Sequence, residues 1–251
     1  MRMGMVVPTL GRRPELLSEC LGSLARQAPA DQEIVIVTTR DAVDRVSRHG
    51  HPVIPQQGKG IAAAITTGWR HLGDRVDALG WLGDDDRLPD SSLPTALAHL
   101  AAHPRCSMVY GRSRYIDYDG TTLSEHRPGS VAQWLLRLGH NLMTQPGSVY
   151  RRSAVEEIGG LDHSVPLAFD VDFHRRLIRH RPARYVPALL GDIRFHADSL
   201  TVRHQRQSIT ECDLCLGRQM PAFLRYSRSL WSPGAQLAAR ATARFTRHSC
   251  G

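Results

Sequence analysis

Lysine is almost missing from this chain: Lys59 is the one lysine among 32 Lys and Arg residues, so the formal charge of +8 is carried by arginine. That bias fits a GC-rich genome as well as a function, but a basic surface suits an anionic substrate or a lipid headgroup. No nucleic-acid-binding motif accompanies it, so nucleic acid is not an expected partner. Long apolar runs are also missing, and none approaches the roughly 18 to 20 residues of a membrane span. The first run, Met3 to Val7, stops at Pro8, too short for a signal-peptide core, and reads as a strand, which makes a cytoplasmic location the expectation. The five cysteines are an odd number without the spacing of a disulfide framework. Cys212 and Cys215 form a lone C-x-x-C where a structural zinc site needs four ligands, so helical packing is their expected job. Neither a Walker loop nor G-x-G-x-x-G is present, and no heptad marks an interface.

What remains is a composition of 41% hydrophobic and 22% charged residues over 251 positions, enough for one large core or a core with an appendage. Met3–Val7 and the turn Pro8-Thr9-Leu10-Gly11 are followed by Pro14, a favoured first helical residue, and by Leu16, Leu17, Cys20, Leu21 and Leu24 at helical spacing. Residues 33–37, Glu-Ile-Val-Ile-Val, read as a strand covered on both faces. Strand, helix, strand implies a parallel sheet. A short helix over 41–48, a strand at Val53-Ile54, and a helix over 61–71 opened by Gly58-Lys59-Gly60 continue the alternation. A glycine-flanked lysine before a helix can approach a phosphate, because a helix amino terminus favours anions; a plain surface turn has the same composition.

The stretch around which the chain is organised is residues 78–88, an apolar run that ends in Asp84, Asp85 and Asp86 and then Arg87. Three adjacent acids alone make a solvated turn. At the carboxyl end of a buried strand, where open α/β sheets bind ligands, they make a site for a hard divalent cation. Ser91 or Ser92 is expected to cap a helix reaching about His103. Then follow a strand over 106–110, a hairpin turning at Asp119-Gly120, and a helix over 130–138 with Trp134 packed in the core. A short strand comes at 147–150, then a helix with a Ser153/Glu156 capping box ended by Gly159-Gly160. On the next helix, Asp170 and Asp172 lie about 200° apart and cannot face one site. Ile193–His196 is the last expected strand, and two basic helical stretches, about 206–229 and 234–247, close the chain. The second can lie on an anionic membrane or dock on the protein's own body.

Four pieces in order make the chain resemble the family 2 glycosyltransferases with the GT-A fold, over residues 3 to about 203. Val6-Val7-Pro8-Thr9 with Arg12 to Leu17 is similar to the family's first strand and helix. Gly58-Lys59-Gly60-Ile61 through Ala64 and Gly68 is similar to its Asp-Lys-Gly-Ile segment, with Gly58 in place of the aspartate. Trp81 to Arg87 resembles the D-x-D region, and Arg151-Arg152-Ser153 to Asp162 with Phe169 to Asp172 the acceptor-side half. The resemblance implies an α/β protein: a single Rossmann-like mixed sheet flanked by helices, with a helical extension at the carboxyl end. It also implies a catalytic domain over 1–205, divided into a nucleotide-sugar half (1–104) and an acceptor half (105–205), and a basic extension over 206–251.

As for activity, the resemblance implies metal-dependent, inverting transfer from a UDP-, GDP- or dTDP-sugar to a hydroxyl of a glycan, lipid or small-metabolite acceptor. Mn²⁺ or Mg²⁺ would sit on the diphosphate, held by Asp84, Asp85, Asp86 and His196. Either Asp84 and Asp86 form the D-x-D pair, or Asp85 is the principal ligand with Gly83 in the first position. Asp170 matches the catalytic base, and Asp172 becomes a partner for an arginine or the helix amino terminus. Pro8, Thr9, Thr38, Lys59, Gly60, Asp84 and Arg151 are the expected donor contacts, and Gln145 falls where the family approaches the acceptor or sugar. The chain departs from the family at Thr38-Thr39-Arg40, where an aspartate-rich nucleobase turn is usual, and at Ala63 and Thr66. It lacks the Q-x-x-R-W of processive members, which argues for single-sugar transfer. Two other readings stand beside this one. A sugar-nucleotide nucleotidyltransferase needs a glycine-rich loop after the first strand, where Gly11 is the single glycine; a non-catalytic nucleotide-sugar-binding homologue is opposed by Asp170 and the aspartate cluster. Peripheral membrane contact would come through the tail.

Overall fold

A computed structural model describes residues 1–27, 31–196 and 205–219. The strands are β1 (Met3–Pro8), β2 (Gln32–Thr38), β3 (Val53–Pro55), β4 (Ala78–Trp81), β5 (Met108–Ile116), β6 (Thr122–His126), β7 (Val149–Arg151) and β8 (Ala183–Arg194). The helices are α1 (Pro14–Ala25), α2 (Val43–Val46), α3 (Ile61–Leu72), α4 (Ser92–Ala102), α5 (Ala132–Arg137), α6 (Arg152–Glu157), α7 (Phe169–His180) and α8 (Gln205–Gln219). The described strands form one mixed sheet in the order β3-β2-β1-β4-β7-β5-β6, with β8 on the other edge of β5. β1 to β4 are mutually parallel, β7 is antiparallel to β4 and β5, and β8 is parallel to β5.

Side chains of a strand alternate between faces, and here both faces are covered. Val6, Val35 and Val37 meet α3 and α7 through Ile65, Trp69, Phe173 and Leu177. Met5, Val7, Ile34 and Ile36 meet α1 and α4 through Leu17, Leu21, Leu24, Leu93 and Leu97. Each such side chain contributes roughly 1.5–3 kcal/mol by leaving water. Helix α3 lies so close to β1 that a Cβ on Gly68 would meet Val6 Cγ2 at 2.5 Å. Any larger residue there would push the helix that starts at the Lys59 loop away from the sheet.

Several local expectations are corrected. Ser91 is left-handed (φ 63°) and makes no cap bond, while the Ser92 hydroxyl donates to the carbonyl of Leu190 on β8. Ser153 does not cap α6 either: Arg151 occupies the cap position, and Glu156 is bound by Arg152 Nη1 at 2.7 Å. Trp134 is not core but 59% exposed, with the Arg137 guanidinium 4.8 Å over its ring; Ala132 and Leu136 are the residues α5 buries. The final strand begins ten residues earlier than Ile193, at Ala183. Pro187 hid it, and the register shifts beside Arg112 accommodate it, since a proline inside a sheet belongs at a bulge or edge. Cys215 packs against Val165 and Ala168, as helical packing requires. No described helix is long and apolar enough to cross a membrane. The expected helical residues beyond 219, and Asp198 to Thr201, lie outside the described part.

Candidate active site

Parallel strands β1, β2 and β4 end side by side, and their carboxyl ends deliver Thr9, Thr38 and the acidic turn to one edge. The pairing of β1 with β4 continues past the strand through Leu82 N–H to Val6 O at 3.0 Å, and the chain then turns, with Asp86 N–H donating to Gly83 O at 3.1 Å. Gly83 leaves room for the carboxylates at that turn. A Cβ there would stand 2.9 Å from Asp85 Oδ1 and 3.1 Å from Asp86 Oδ2, because those carboxylates fold back over it.

The three carboxylates have different surroundings. Asp84 is buried and accepts from the Thr9 hydroxyl at 2.5 Å and Arg13 Nη2 at 2.9 Å. Burial pushes its carboxyl up, while Thr9 and Arg13 pull it back. Asp86 accepts from the Arg194 backbone N–H at 2.8 Å, and burial, then the charge of Asp85, holds its carboxyl well above the usual range. Asp85 faces the last strand: its Oδ2 is 2.9 Å from His196 Nε2 and 3.2 Å from Arg13 Nη1. His196 Nε2 is also 2.8 Å from Arg13 Nη1. With the ring proton on Nδ1, the imidazole accepts from Arg13; with it on Nε2, it donates to Asp85. The resemblance therefore pointed to four side chains, of which Asp84, Asp85 and His196 gather on Arg13 while Asp86 is turned to β8.

Residues that the sequence reading did not single out hold this turn. Asp192, 1% exposed, accepts from Arg87 Nε at 2.9 Å and from Arg114 Nε and Nη2 at 2.7 and 2.8 Å. Arg194, also buried, donates to Asp85 O at 2.7 Å and to Glu19 Oε2 at 2.5 Å, and Glu19 binds Arg87 Nη1 as well. Charged residues are almost never fully buried unless paired, so Asp192 and Arg194 beside the apolar run Val186–Leu190 of β8 were the available signal.

Asp170 stands at the amino end of α7, behind Phe169, whose ring lies 5.9 Å from that of Trp81 at the end of β4. Burial raises its carboxyl to about 6, opposed only by the N–H groups of Val171 and of Asp170 itself. Asp172 is bound by Arg176 Nε at 2.7 Å, so the two acids do serve different faces. Glu211 of α8 accepts from the N–H groups of Leu167 and Ala168 at 2.7 and 3.3 Å and fastens the segment leading into α7. Gln145 donates to Trp81 O at 2.7 Å, beside a backbone approach so close that a Cβ on Gly147 would stand 2.1 Å from Leu190 O.

The remaining expected contacts divide. Pro8 ends β1, Thr38 is buried at the end of β2, and Lys59 and Gly60 are exposed in the loop before α3, all at the carboxyl ends of β1 to β3 or beside them. Arg151 is not brought to this edge. It pairs with Ala78 at the start of β4, and its guanidinium binds Leu100 O at 2.5 Å, Cys106 O at 2.9 Å and His103 O at 3.2 Å.

Whether the acidic edge suits a divalent cation can be tested on its own geometry. Two ligands at neighbouring corners of an octahedron with bonds of roughly 2.1 Å are about 3 Å apart, and Asp85 Oδ2 and His196 Nε2 are 2.9 Å apart. Carboxylate with imidazole also suits Mn²⁺ or Mg²⁺ in ligand type. Among the described residues no three His, Cys, Asp or Glu side chains close round such an ion. The residues therefore fit as a two-ligand holder whose other positions fall to water and substrate.

The sequence model described as Glycosyl transferase family 2 matches residues 5–159. No curated protein matches the sequence. Among solved structures, a mannosyltransferase from Pyrobaculum calidifontis in complex with GDP-Man and Mn²⁺ aligns over 100% of this chain and 76% of its own, with a TM-score of 0.64 and 19% identity. Staphylococcus aureus TarS aligns over 87% of this chain with a TM-score of 0.62 and 12% identity, and its residues 1–349 in complex with UDP align over 92% with a TM-score of 0.61 and 14% identity. The chain spans 39% of the longer TarS chain and 74% of the shorter one. At such identities the likeness speaks for the fold.

Proposed function

The chain belongs to glycosyl transferase family 2, and from that premise we propose that it moves a single sugar, with inversion, from a nucleoside-diphosphate sugar to a hydroxyl of a glycan, lipid or small-metabolite acceptor. The observation that carries the reading is the 2.9 Å approach of Asp85 to His196 at the edge where β1, β2 and β4 end. Asp85 and His196 are the proposed metal ligands, which chooses Gly83-x-Asp85 over Asp84-x-Asp86. Asp84, tied to Thr9 and Arg13, fixes the turn and lies beside the donor.

A bound Mn²⁺ or Mg²⁺ would neutralise charge on the diphosphate as it leaves. The chain's own residues do the rest. Thr9, Thr38, Lys59 and Gly60 border the donor along the ends of β1, β2 and the start of α3, where a helix amino terminus favours phosphate. Asp170 accepts the proton of the attacking hydroxyl. A carboxyl raised to about 6 is ionised at neutral pH yet more basic than an ordinary aspartate, as a general base should be. With Asp170 as the base and the nucleoside diphosphate as the leaving group, the transfer would be a single displacement, hence inversion.

The mannosyltransferase structure holds GDP-Man with Mn²⁺, and TarS structures hold UDP or UDP-GlcNAc, so both nucleobases belong in the test. Calorimetry with UDP-, GDP- and dTDP-sugars in Mn²⁺ should find one class that binds and is slowly hydrolysed, with EDTA removing both effects. If every donor failed to bind folded protein in Mn²⁺, the reading would be wrong.

A further inference from the structure

Arg13 is the residue on which the acidic edge converges. Its Nη2 is 2.9 Å from Asp84 Oδ1, and its Nη1 is 2.8 Å from His196 Nε2 and 3.2 Å from Asp85 Oδ2. The acids of α1 do not compete for it, since Glu15 is bound by Tyr118 at 2.9 Å and Glu19 by Arg87 and Arg194, each at 2.5 Å. The two atoms suited to hold a metal are the two that face Nη1. A divalent ion and a guanidinium nitrogen cannot use the same lone pairs, and the guanidinium cannot be neutralised by losing a proton. It has to move.

We propose, on the footing of the metal reading above, that Arg13 is a resident counter-cation: it holds Asp85 and His196 in the donor-free protein, and the metal displaces it. Asp84 keeps the Thr9 hydroxyl on its other oxygen, so it retains one partner when the guanidinium leaves. A released guanidinium needs a new anionic partner, and a diphosphate, which accepts the planar fork in a bidentate manner, is the group that arrives with the metal. Metal alone must therefore eject Arg13 uncompensated, whereas metal with a nucleoside diphosphate ejects it into a new ion pair. The consequence is coupled binding. Each ligand tightens the other by the same factor, as linkage requires.

The test counts free Mn²⁺ by electron paramagnetic resonance on the full chain, alone and with UDP or GDP. The wild type should bind Mn²⁺ weakly alone and more tightly with one of the nucleotides. Arg13→Gln should bind Mn²⁺ alone about tenfold more tightly or better, with the gain from nucleotide shrinking by a similar factor. Arg12→Gln, which removes an equal charge from an exposed neighbour, separates loss of the contact from loss of charge and should change affinity by less than about threefold. Arg13→Lys keeps the charge without the fork, should lie between the wild type and Arg13→Gln, and serves if Arg13→Gln does not fold. An Arg13→Gln no tighter for Mn²⁺ alone than Arg12→Gln overturns this inference and leaves the metal reading standing; a wild type that binds Mn²⁺ equally well with and without nucleotide counts against both, because the diphosphate is also to ligate the metal. If no protein binds Mn²⁺ under any condition while folded, both fall.

Discussion

Aspartates at the donor edge and at the acceptor side meet opposite surroundings. Asp84 and Asp85 share one guanidinium, Asp84 adds a hydroxyl, and Asp86 takes a backbone N–H from a strand whose Asp192 is locked by Arg87 and Arg114 and whose Arg194 is locked by Glu19. Asp170 has aromatic neighbours and two amides of its own helix end, and its carboxyl is raised to about 6. Burial raises Asp84, Asp86 and Asp170 alike, Asp86 to well above the usual range; what differs is that cations oppose it at the edge and, among the described residues, only amides oppose it at Asp170. A carboxylate that holds a cation must stay charged at all working pH values. One that takes and returns a proton should titrate near neutrality. The same residue type thus does two jobs, separated by its neighbours.

The sharpest way to break this division is to neutralise Asp170, the acid with no cation partner among the described residues. Asp170→Asn should lower transfer by about 10²–10⁴-fold, the usual contribution of a general base, while donor binding measured by calorimetry stays within about twofold. Retained transfer would move the base elsewhere. The next effect is structural and belongs to the paired side. Asp192→Ala leaves Arg87 and Arg114 facing each other without their carboxylate, and removing one partner of a buried ion pair costs about 3–5 kcal/mol. Both arginine side chains are partly exposed, so a loss of about 2–3 kcal/mol in urea unfolding is expected. A loss below about 0.5 kcal/mol, the range of ordinary surface changes, would show that the arginine lattice does not hold the turn.

The two sides also differ in how far they could be read from sequence. β1, α1, β2 and α3 declare themselves by local periodicity, and Asp84 to Asp86 by their place after an apolar run, because strand, turn and helix signals act over a few residues. The cations that hold those acids do not, since Arg13 lies 71 positions from Asp84 and 183 from His196, and Asp192 lies 105 from Arg87. Long-range ion pairs leave no spacing to read. Arg151 shows the converse: the family resemblance suggested a donor contact, yet the carbonyls at the end of α4 absorb its guanidinium. Trp134 failed for a third reason. Periodicity shows which residues share a face, not which face turns inward, and α5 buries Ala132 and Leu136 instead.

The smallest effect is the most direct measure of the difference between the sides, and its sign is settled by which state binds the proton. An unfolded Asp170 ionises near 3.8 and the folded one near 6, so between those values the native state holds a proton that the unfolded chain has released. The stability this gives is present in full below about pH 4 and is lost as pH rises through about 6. Above that, the protein carries a charge with no cation beside it among the described residues; the full shift is worth about 3 kcal/mol, and partial exposure of the side chain reduces that to about 2 kcal/mol. Asp170→Asn removes the charge and keeps the shape. Its melting temperature should match the wild type near pH 4 and exceed it at pH 7.5 by about 4–8 °C for a chain of this size, in the same variant that has lost transfer. Subtracting the wild-type curve cancels the titration of Asp84 and Asp86, which both proteins retain. Melting temperatures that differ by the same amount at the two pH values would mean that Asp170 is as well compensated as the acids of the donor edge, and the contrast between the two sides would disappear.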